Sequence, residues 1–366
     1  MAPRTQNKPA LVLLLACVAQ FMVVLDVAVV NVALPTIQRD LHIDQSTVQW
    51  IVTAYGLMLG GFLLLGGRIG DFWGRRRTLL TGLIVFTGAS ILAGVAGSAG
   101  SLIAARVVQG LGAAMIPPAA LAVLAVTFAE GRDRNRALGV FGATTGISAS
   151  VGVIASGLLT AGPGWRWIFF INAPVGAALV ILAVLVLATD ELRSTNRQRF
   201  DVAGAVTGTG GLLLLVYAVS RSAEGGWGSA TTLGLLAAAA AVLAVFVAIE
   251  SRSRSPLVPR VVVRNRTLVA ANLSSLLLFG AIFASIFLGS QFMQVVLGYT
   301  PTRTGVAWLA TTVTSFIAAA TTGTKLVGIL GVRRLVAAGF TVLGTAAFLF
   351  TRMPAQAHYA SNLMPS

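Results

Sequence analysis

Two charged residues sit where charge is expensive. Asp26 and Arg106 are the only charged side chains that fall deep inside long apolar stretches rather than at their ends. A charge at the middle of a bilayer costs about 2.5–3.5 kcal/mol on insertion scales, so such groups tend to face a cavity and act there. An aspartate in that setting can exchange a proton, because desolvation favours its neutral form. Arginine keeps its charge, so Arg106 would act on Asp26, or on a bound solute, through its field and its fork of donors. The competing reading is a buried structural pair. Asn31 and Gln109 stand near the two charges in sequence, with Gly110 beside Gln109. They either line the same cavity or hydrogen-bond helix to helix. With one cysteine, Cys17, and two histidines, His42 and His358, in predicted loops, the chain offers no disulfide framework and no metal site. No cofactor is expected.

The elements that must position these groups follow from composition. Hydrophobic residues make up 56% of the 366 and charged ones 10%, too few to solvate a globule of this size, so lipid is the solvent. A bilayer core of about 30 Å needs about 20 apolar residues per helix. Spans are predicted at 10–34, 48–66, 78–97, 102–126, 137–160, 166–188, 202–221, 230–249, 268–290, 304–322 and 333–351. With the N-terminus inside, 20 of the 26 Lys and Arg fall on the inner side and 5 on the outer. That asymmetry sets the N-terminus in the cytoplasm. The net charge of +15 lies at span ends, not on one contiguous face, so nucleic acid is not expected as a partner. Leu14-Leu15-Ala16-Cys17 has the outline of a lipoprotein signal, but the apolar run continues to Ala33 and reads as the first helix. Arginine outnumbers lysine by 24 to 2, a bias that GC-rich codons give and that suits a bacterial source.

The loop after the second span reads Gly67-Arg68-Ile69-Gly70-Asp71-Phe72-Trp73-Gly74-Arg75-Arg76-Arg77. Its glycines permit a tight turn and close helix approach. Asp71 could sit near a helix N-terminus and accept from arginine. This stretch resembles the gating signature of the major facilitator superfamily. Arg106-Val107-Val108-Gln109-Gly110-Leu111-Gly112-Ala113-Ala114 resembles the fourth-helix element that the family associates with proton transfer. Leu25 to Pro35 resembles the first-helix element of its 14-helix drug:proton antiporters. Gly139, Gly142, Gly146, Gly152 and Gly157 resemble the antiporter element of the fifth helix. There Val153 and Ser156 replace the proline and glycine usual in the family. Gly164 to Gly176, GWRWIFFINAPVG, is similar to the start of the family's sixth helix.

The resemblance implies an all-α polytopic membrane protein of the major facilitator fold, with about eleven of fourteen helices present. It implies gating by Gly67, Asp71, Gly74, Arg75 and Arg76, and proton coupling by Asp26 and Arg106. It places Asn31, Gln109 and Gly110 at the substrate cavity, and gives a sealing role to Gly142, Gly146, Gly152 and Gly157. A second, degenerate signature follows at a constant offset, GRRRTLLTG at 74–82 against GVRRLVAAG at 331–339, which pairs Gly74 with Gly331 and sets Gly328 in the place of Asp71. The expected organisation is a cytoplasmic tail at 1–9 and a six-helix bundle at 10–188. A linker with two extra helices follows at 189–267, then three helices of an incomplete second bundle at 268–366. The chain is thus expected to be a truncated sequence or a disrupted gene. The implied activity is export of a drug- or antibiotic-like lipophilic molecule by proton antiport, from a monomer in the bacterial inner membrane. Nutrient import and an inert fragment are the alternatives, and no residue cluster suggests an enzyme.

Overall fold

The computed structural model describes residues 9–188, 201–253, 264–308 and 327–352, with residues 261, 310, 311, 313, 314 and 318. Every element among them is helical. The helices are α1 (Pro9–Leu41), α2 (Gln45–Trp73), α3 (Arg75–Gly94), α4 (Ala99–Thr127), α5 (Arg132–Ala161), α6 (Trp167–Phe170) and α7 (Asn172–Val186). They continue as α8 (Val202–Gly225), α9 (Ala230–Arg252), α10 (Arg266–Gln291), α11 (Pro301–Ala307) and α12 (Val327–Thr351). A π-helical turn, Phe292–Val296, extends α10. Among the described residues nine helices are long and apolar enough to cross a membrane, α6 and α7 counting as one span. The expected span at 137–160 is helix α5, 30 residues long and so about 45 Å, but its Gly, Ser and Thr keep it off that apolar set. Nine of the nineteen residues of the expected span at 304–322 lie outside the described ones, as do all of residues 189–200.

Two spans run further than their composition suggests. α1 continues through Pro35 to Leu41. Proline removes one rung of the ladder without ending the helix, and Arg39 Nε donates back to the Pro35 carbonyl at 3.2 Å. α4 carries Pro117-Pro118 in its interior. Pro118 has no N–H for the Ala114 carbonyl, and Gly66 of α2 sits directly against that freed oxygen. The same economy of side chain joins α3 to α4. A Cβ on Gly112 would come 2.5 Å from the Phe86 amide nitrogen, and one on Gly82 3.1 Å from the Gly112 carbonyl. In lipid, apolar surface gains nothing by leaving one hydrocarbon for another, so close backbone approach and polar ties do the joining.

The buried core lies among α1 to α7, with Leu15, Ala19, Leu79, Leu83, Phe86, Ala113 and Ile116 fully or almost fully enclosed. α5 runs beside α1, held by Gln20 Nε2 to Thr145 Oγ1 at 3.3 Å and by Ser156 Oγ to the Val29 carbonyl at 2.6 Å. α8 packs on α9 and on α2. α11 lies against α5, and Trp308 and Ile286 touch Ala28 and Val32 of α1.

The repeat is visible in the backbone. Gly74, between α2 and α3, has φ 100° and ψ 146°. Gly331, its partner at the constant offset, has φ 74° and ψ 154° inside α12, where it kinks the chain. Both are in a region open to glycine and costly for other residues.

Candidate functional site

Four helices converge on Asp26. α1 carries the carboxylate, α4 carries Arg106 and Gln109, α3 carries Ser90, and Asn172 stands at the first position of α7. Asp26, Ser90, Arg106 and Gln109 are all 0% exposed, and Asn172 is 2% exposed. Arg106 Nη1 bonds Asp26 Oδ2 as a salt bridge and also donates to Gln109 Oε1 at 2.8 Å. Its Nε donates to the Ile51 carbonyl of α2 at 3.1 Å, and its guanidinium lies 4.0 Å from the centroid of the Tyr55 ring. Tyr55 in turn donates to the Val23 carbonyl at 3.3 Å.

The orientations in this cluster are forced. Arg106 can only donate, so the oxygen of Gln109 must face it and the nitrogen must face away. Gln109 Nε2 then donates to Asp26 Oδ1 at 2.8 Å and to Ser90 Oγ at 3.2 Å. Asn172 Nδ2 donates to the same Asp26 Oδ1 at 3.2 Å and to Ser90 Oγ at 3.0 Å. The Ser90 hydroxyl donates to the Phe169 carbonyl at 3.0 Å. Both oxygens of Asp26 therefore receive N–H donors, the arrangement of an ionised carboxylate. A buried charge so paired and bonded can be held in a low-dielectric interior. Strip it of its partners and it cannot.

Sequence reasoning finds Asp26, Arg106 and Gln109, which the fold brings into direct contact. It misses Ser90, Asn172 and Tyr55. Asn172 is one polar residue at the start of an apolar run, inside the quoted GWRWIFFINAPVG motif, and that was the available signal. Ser90 and Tyr55 carry none. Asn31 and Gly110, expected at the cavity, make no hydrogen bond to the side chain of Asp26 or Arg106. Asn31 turns back to the Val27 carbonyl of its own helix at 3.0 Å. Gly110 is a packing position, where a Cβ would lie 2.6 Å from the Tyr55 carbonyl.

The signature loop is assembled differently from expectation. Asp71 is exposed and lies in the last turn of α2, where it pairs at 3.7 Å with Arg68, three residues earlier. The expectation of a helix N-terminus for it is not met, because α3 starts only at Arg75. Arg76 crosses to the end of α7 and donates to the Val184 carbonyl at 2.9 Å. Gly67 has room, its nearest neighbour being Pro118 at 3.6 Å from a built Cβ. Of the antiporter glycines, Gly152 and Gly157 are buried, and Gly152 is pressed on α1 with Ala28 Cβ 2.7 Å from its own missing one. Gly142 and Gly146 are exposed and border open space.

A second polar tie joins α1, near its C-terminus, to the turn that precedes α6. Trp165 Nε1 and Arg166 Nη1 each donate to Asp40 Oδ2 at 2.9 Å. The indole N–H first, and then the guanidinium, hold the Asp40 carboxyl below the usual carboxylate range.

Residues 16–364 match the Major Facilitator Superfamily. The chain belongs to that superfamily. It is 39% identical over 362 residues to the puromycin resistance protein pur8 of Streptomyces alboniger, covering 97% of this chain and 70% of that one. It is 40% identical over 298 residues to the cephamycin export protein CmcT of Amycolatopsis lactamdurans, covering 81% of this chain and 61% of that one. Among solved structures, the proton:xylose symporter XylE of the superfamily bound to 6-bromo-6-deoxy-D-glucose shares the fold, with a TM-score of 0.59 and 14% identity. That match covers 98% of this chain and 78% of the other. The superfamily member described here is a multi-pass membrane transporter, and its family and relatives are transporters, not enzymes.

Proposed function

We propose that the protein exports an antibiotic-like, lipophilic small molecule from the cytoplasm in exchange for protons, as a monomer in the bacterial inner membrane with its N-terminus inside. The single observation that carries the proton part is the enclosed carboxylate of Asp26, a titratable group with a positive partner. The export part leans on the relatives, which are named for puromycin resistance and cephamycin export. The orientation leans on the Lys and Arg distribution.

The cycle is alternating access about the buried site. In the paired state Asp26 is charged and bound to Arg106. Taking a proton from outside cancels its charge, frees part of the Arg106 fork and loosens the helices that meet there. Reorientation exposes the group to the cytoplasm, where it loses the proton and substrate takes its place. The signature loop, with Gly67, Asp71, Gly74, Arg75 and Arg76, would serve as the inner gate, and Gly152 and Gly157 as part of the seal between α5 and α1.

Burial of the pair also favours a second reading, in which Asp26 and Arg106 form a fixed strut. The two separate in cells. Cells expressing the chain should accumulate less of a lipophilic cationic dye than control cells, and a protonophore should remove the difference. Efflux that survives collapse of the gradient would refute proton coupling and leave the strut.

A further inference from the structure

The contact with the strongest bearing on how Asp26 could signal its charge is the one from Asn172. Asp26 Oδ1 accepts from two amides. A proton arriving there meets N–H groups and no acceptor, so one amide must turn over. Gln109 cannot, because its oxygen is held by Arg106 and reversal would press an NH2 against a guanidinium. Arg106 spends its bonds on Ile51, Asp26 and Gln109, and Asn172 donates to both of its partners from Nδ2.

We propose that Asn172 is the positioning residue that reverses when Asp26 is protonated, with Ser90 relaying the change to the carbonyl of Phe169 in α6. This rests on the proton-exchange reading of Asp26. The balance is simple. One proton enters and forms an O–H on the carboxyl; no other covalent bond changes. The new O–H donates to Asn172 Oδ1, now turned inward. The same oxygen faces Ser90, whose hydroxyl rotates from the Phe169 carbonyl to donate to it. Phe169 loses that bond.

The consequence falls on a weak point of the chain. α6 is four residues long and is separated from α7 by Ile171. Pro174 supplies no N–H to the Phe170 carbonyl, so the ladder there already lacks a rung. The preceding residues, Trp165 and Arg166, hold Asp40 at the end of α1. α1 and the start of the sixth span are thus tied twice, through Asn172 at the buried charge and through Trp165 near the end of α1. Loss of the Ser90–Phe169 bond frees α6 to shift against the tie at Trp165, while Asn172 stays bonded to Asp26.

Infrared difference spectroscopy of the purified chain during acidification reads both ends of the relay. The carboxyl C=O band of Asp26 is assigned by its loss in Asp26→Asn, and the α6 response is followed by Trp165 fluorescence, assigned by Trp165→Phe. Asn172→Ala removes a donor that favours the ionised form, so the band should appear about one pH unit higher. Asn172→Gln, which keeps an amide, should restore most of the wild-type midpoint. In Ser90→Ala the band should still titrate while the fluorescence change accompanying it is lost. An unmoved midpoint in Asn172→Ala, or an intact fluorescence response in Ser90→Ala, overturns the relay and leaves Asp26 as a proton carrier. Absence of any Asp26 band in the wild type overturns the proton-exchange reading, and the relay with it.

Discussion

The helices before residue 187 and those after residue 265 are almost equally apolar and are put together in different ways. In α1, 67% of the most apolar stretch is buried inside the protein, and in α3 and α4 50%. In α10 the figure is 6% and in α12 it is 0%. Hydrophobicity cannot account for the difference, since lipid is as good a solvent for leucine as another helix is. What α1 to α7 possess is a set of glycines that let backbones touch, and a buried polar cluster whose members come from four helices. α10 and α12 present apolar surface to their surroundings, including Leu276, Val332 and Val342. The charge distribution follows the same division. All 11 acidic residues fall at or before Glu250, so any carboxylate that carries a proton in this sequence lies in its first 250 residues.

The sharpest way to break this contrast is to remove the positive half of the buried pair. Arg106→Met leaves Asp26 enclosed without a counter-charge, and breaking a buried pair costs about 3–5 kcal/mol. The folded yield in detergent and the temperature of unfolding should both fall sharply, whereas Arg333→Met in the exposed α12 should leave them within error. Adding Asp26→Asn to Arg106→Met should recover the folded protein but not transport. Recovery of both would make the pair a strut.

A smaller effect separates two glycines. Gly112→Ala drives a methyl into the Phe86 amide 2.5 Å away, so α3 and α4 must part, at about 1–3 kcal/mol. At Gly344 in α12 a built Cβ meets nothing within 4 Å, and alanine there gains helix propensity. Thermal unfolding of the two variants should move in opposite directions. Equal losses would mean that α12 packs as tightly as α3.

The smallest effect concerns Asp40. Its carboxyl is held below the ordinary range by Trp165 and Arg166. The folded form therefore favours the carboxylate. The stabilisation is complete above the ordinary aspartate value of about 3.9 and is lost as pH falls through the lowered folded value. Trp165 fluorescence should show a transition in that acidic window in the wild type, and Asp40→Asn should lose that transition.

Much of the first bundle is legible in the sequence, because lipid makes charge conspicuous. Asp26 and Arg106 stand out against apolar runs, and Gln109 follows one turn after the arginine on the same face. Gly74 and Gly331 are legible as a repeat, and the shared positive φ gives the repeat its physical content. The rest depends on tertiary convergence that no local pattern encodes. Ser90 is an ordinary polar residue in α3 until α4 and α7 place two amides on it. Asn31, about one and a half turns from Asp26 on the same helix, donates to the Val27 carbonyl, a bond that its spacing does not announce. Asp71 could have capped α3, but α2 keeps it in its final turn. Gly142 and Gly146 carry the antiporter spacing, and a built Cβ on either meets nothing within 4 Å.

Proton exchange at Asp26 in step with substrate is the step proposed above. It is tested most directly by adding tetraphenylphosphonium, a lipophilic cation, to the purified chain in weakly buffered detergent solution and following pH. Started at a pH where the Asp26 carboxyl band is present, the wild type should release a burst of protons, with a stoichiometry approaching one, and Asp26→Asn should release none at equal folded concentration. Equal release from both proteins, with binding demonstrated in each, would contradict it.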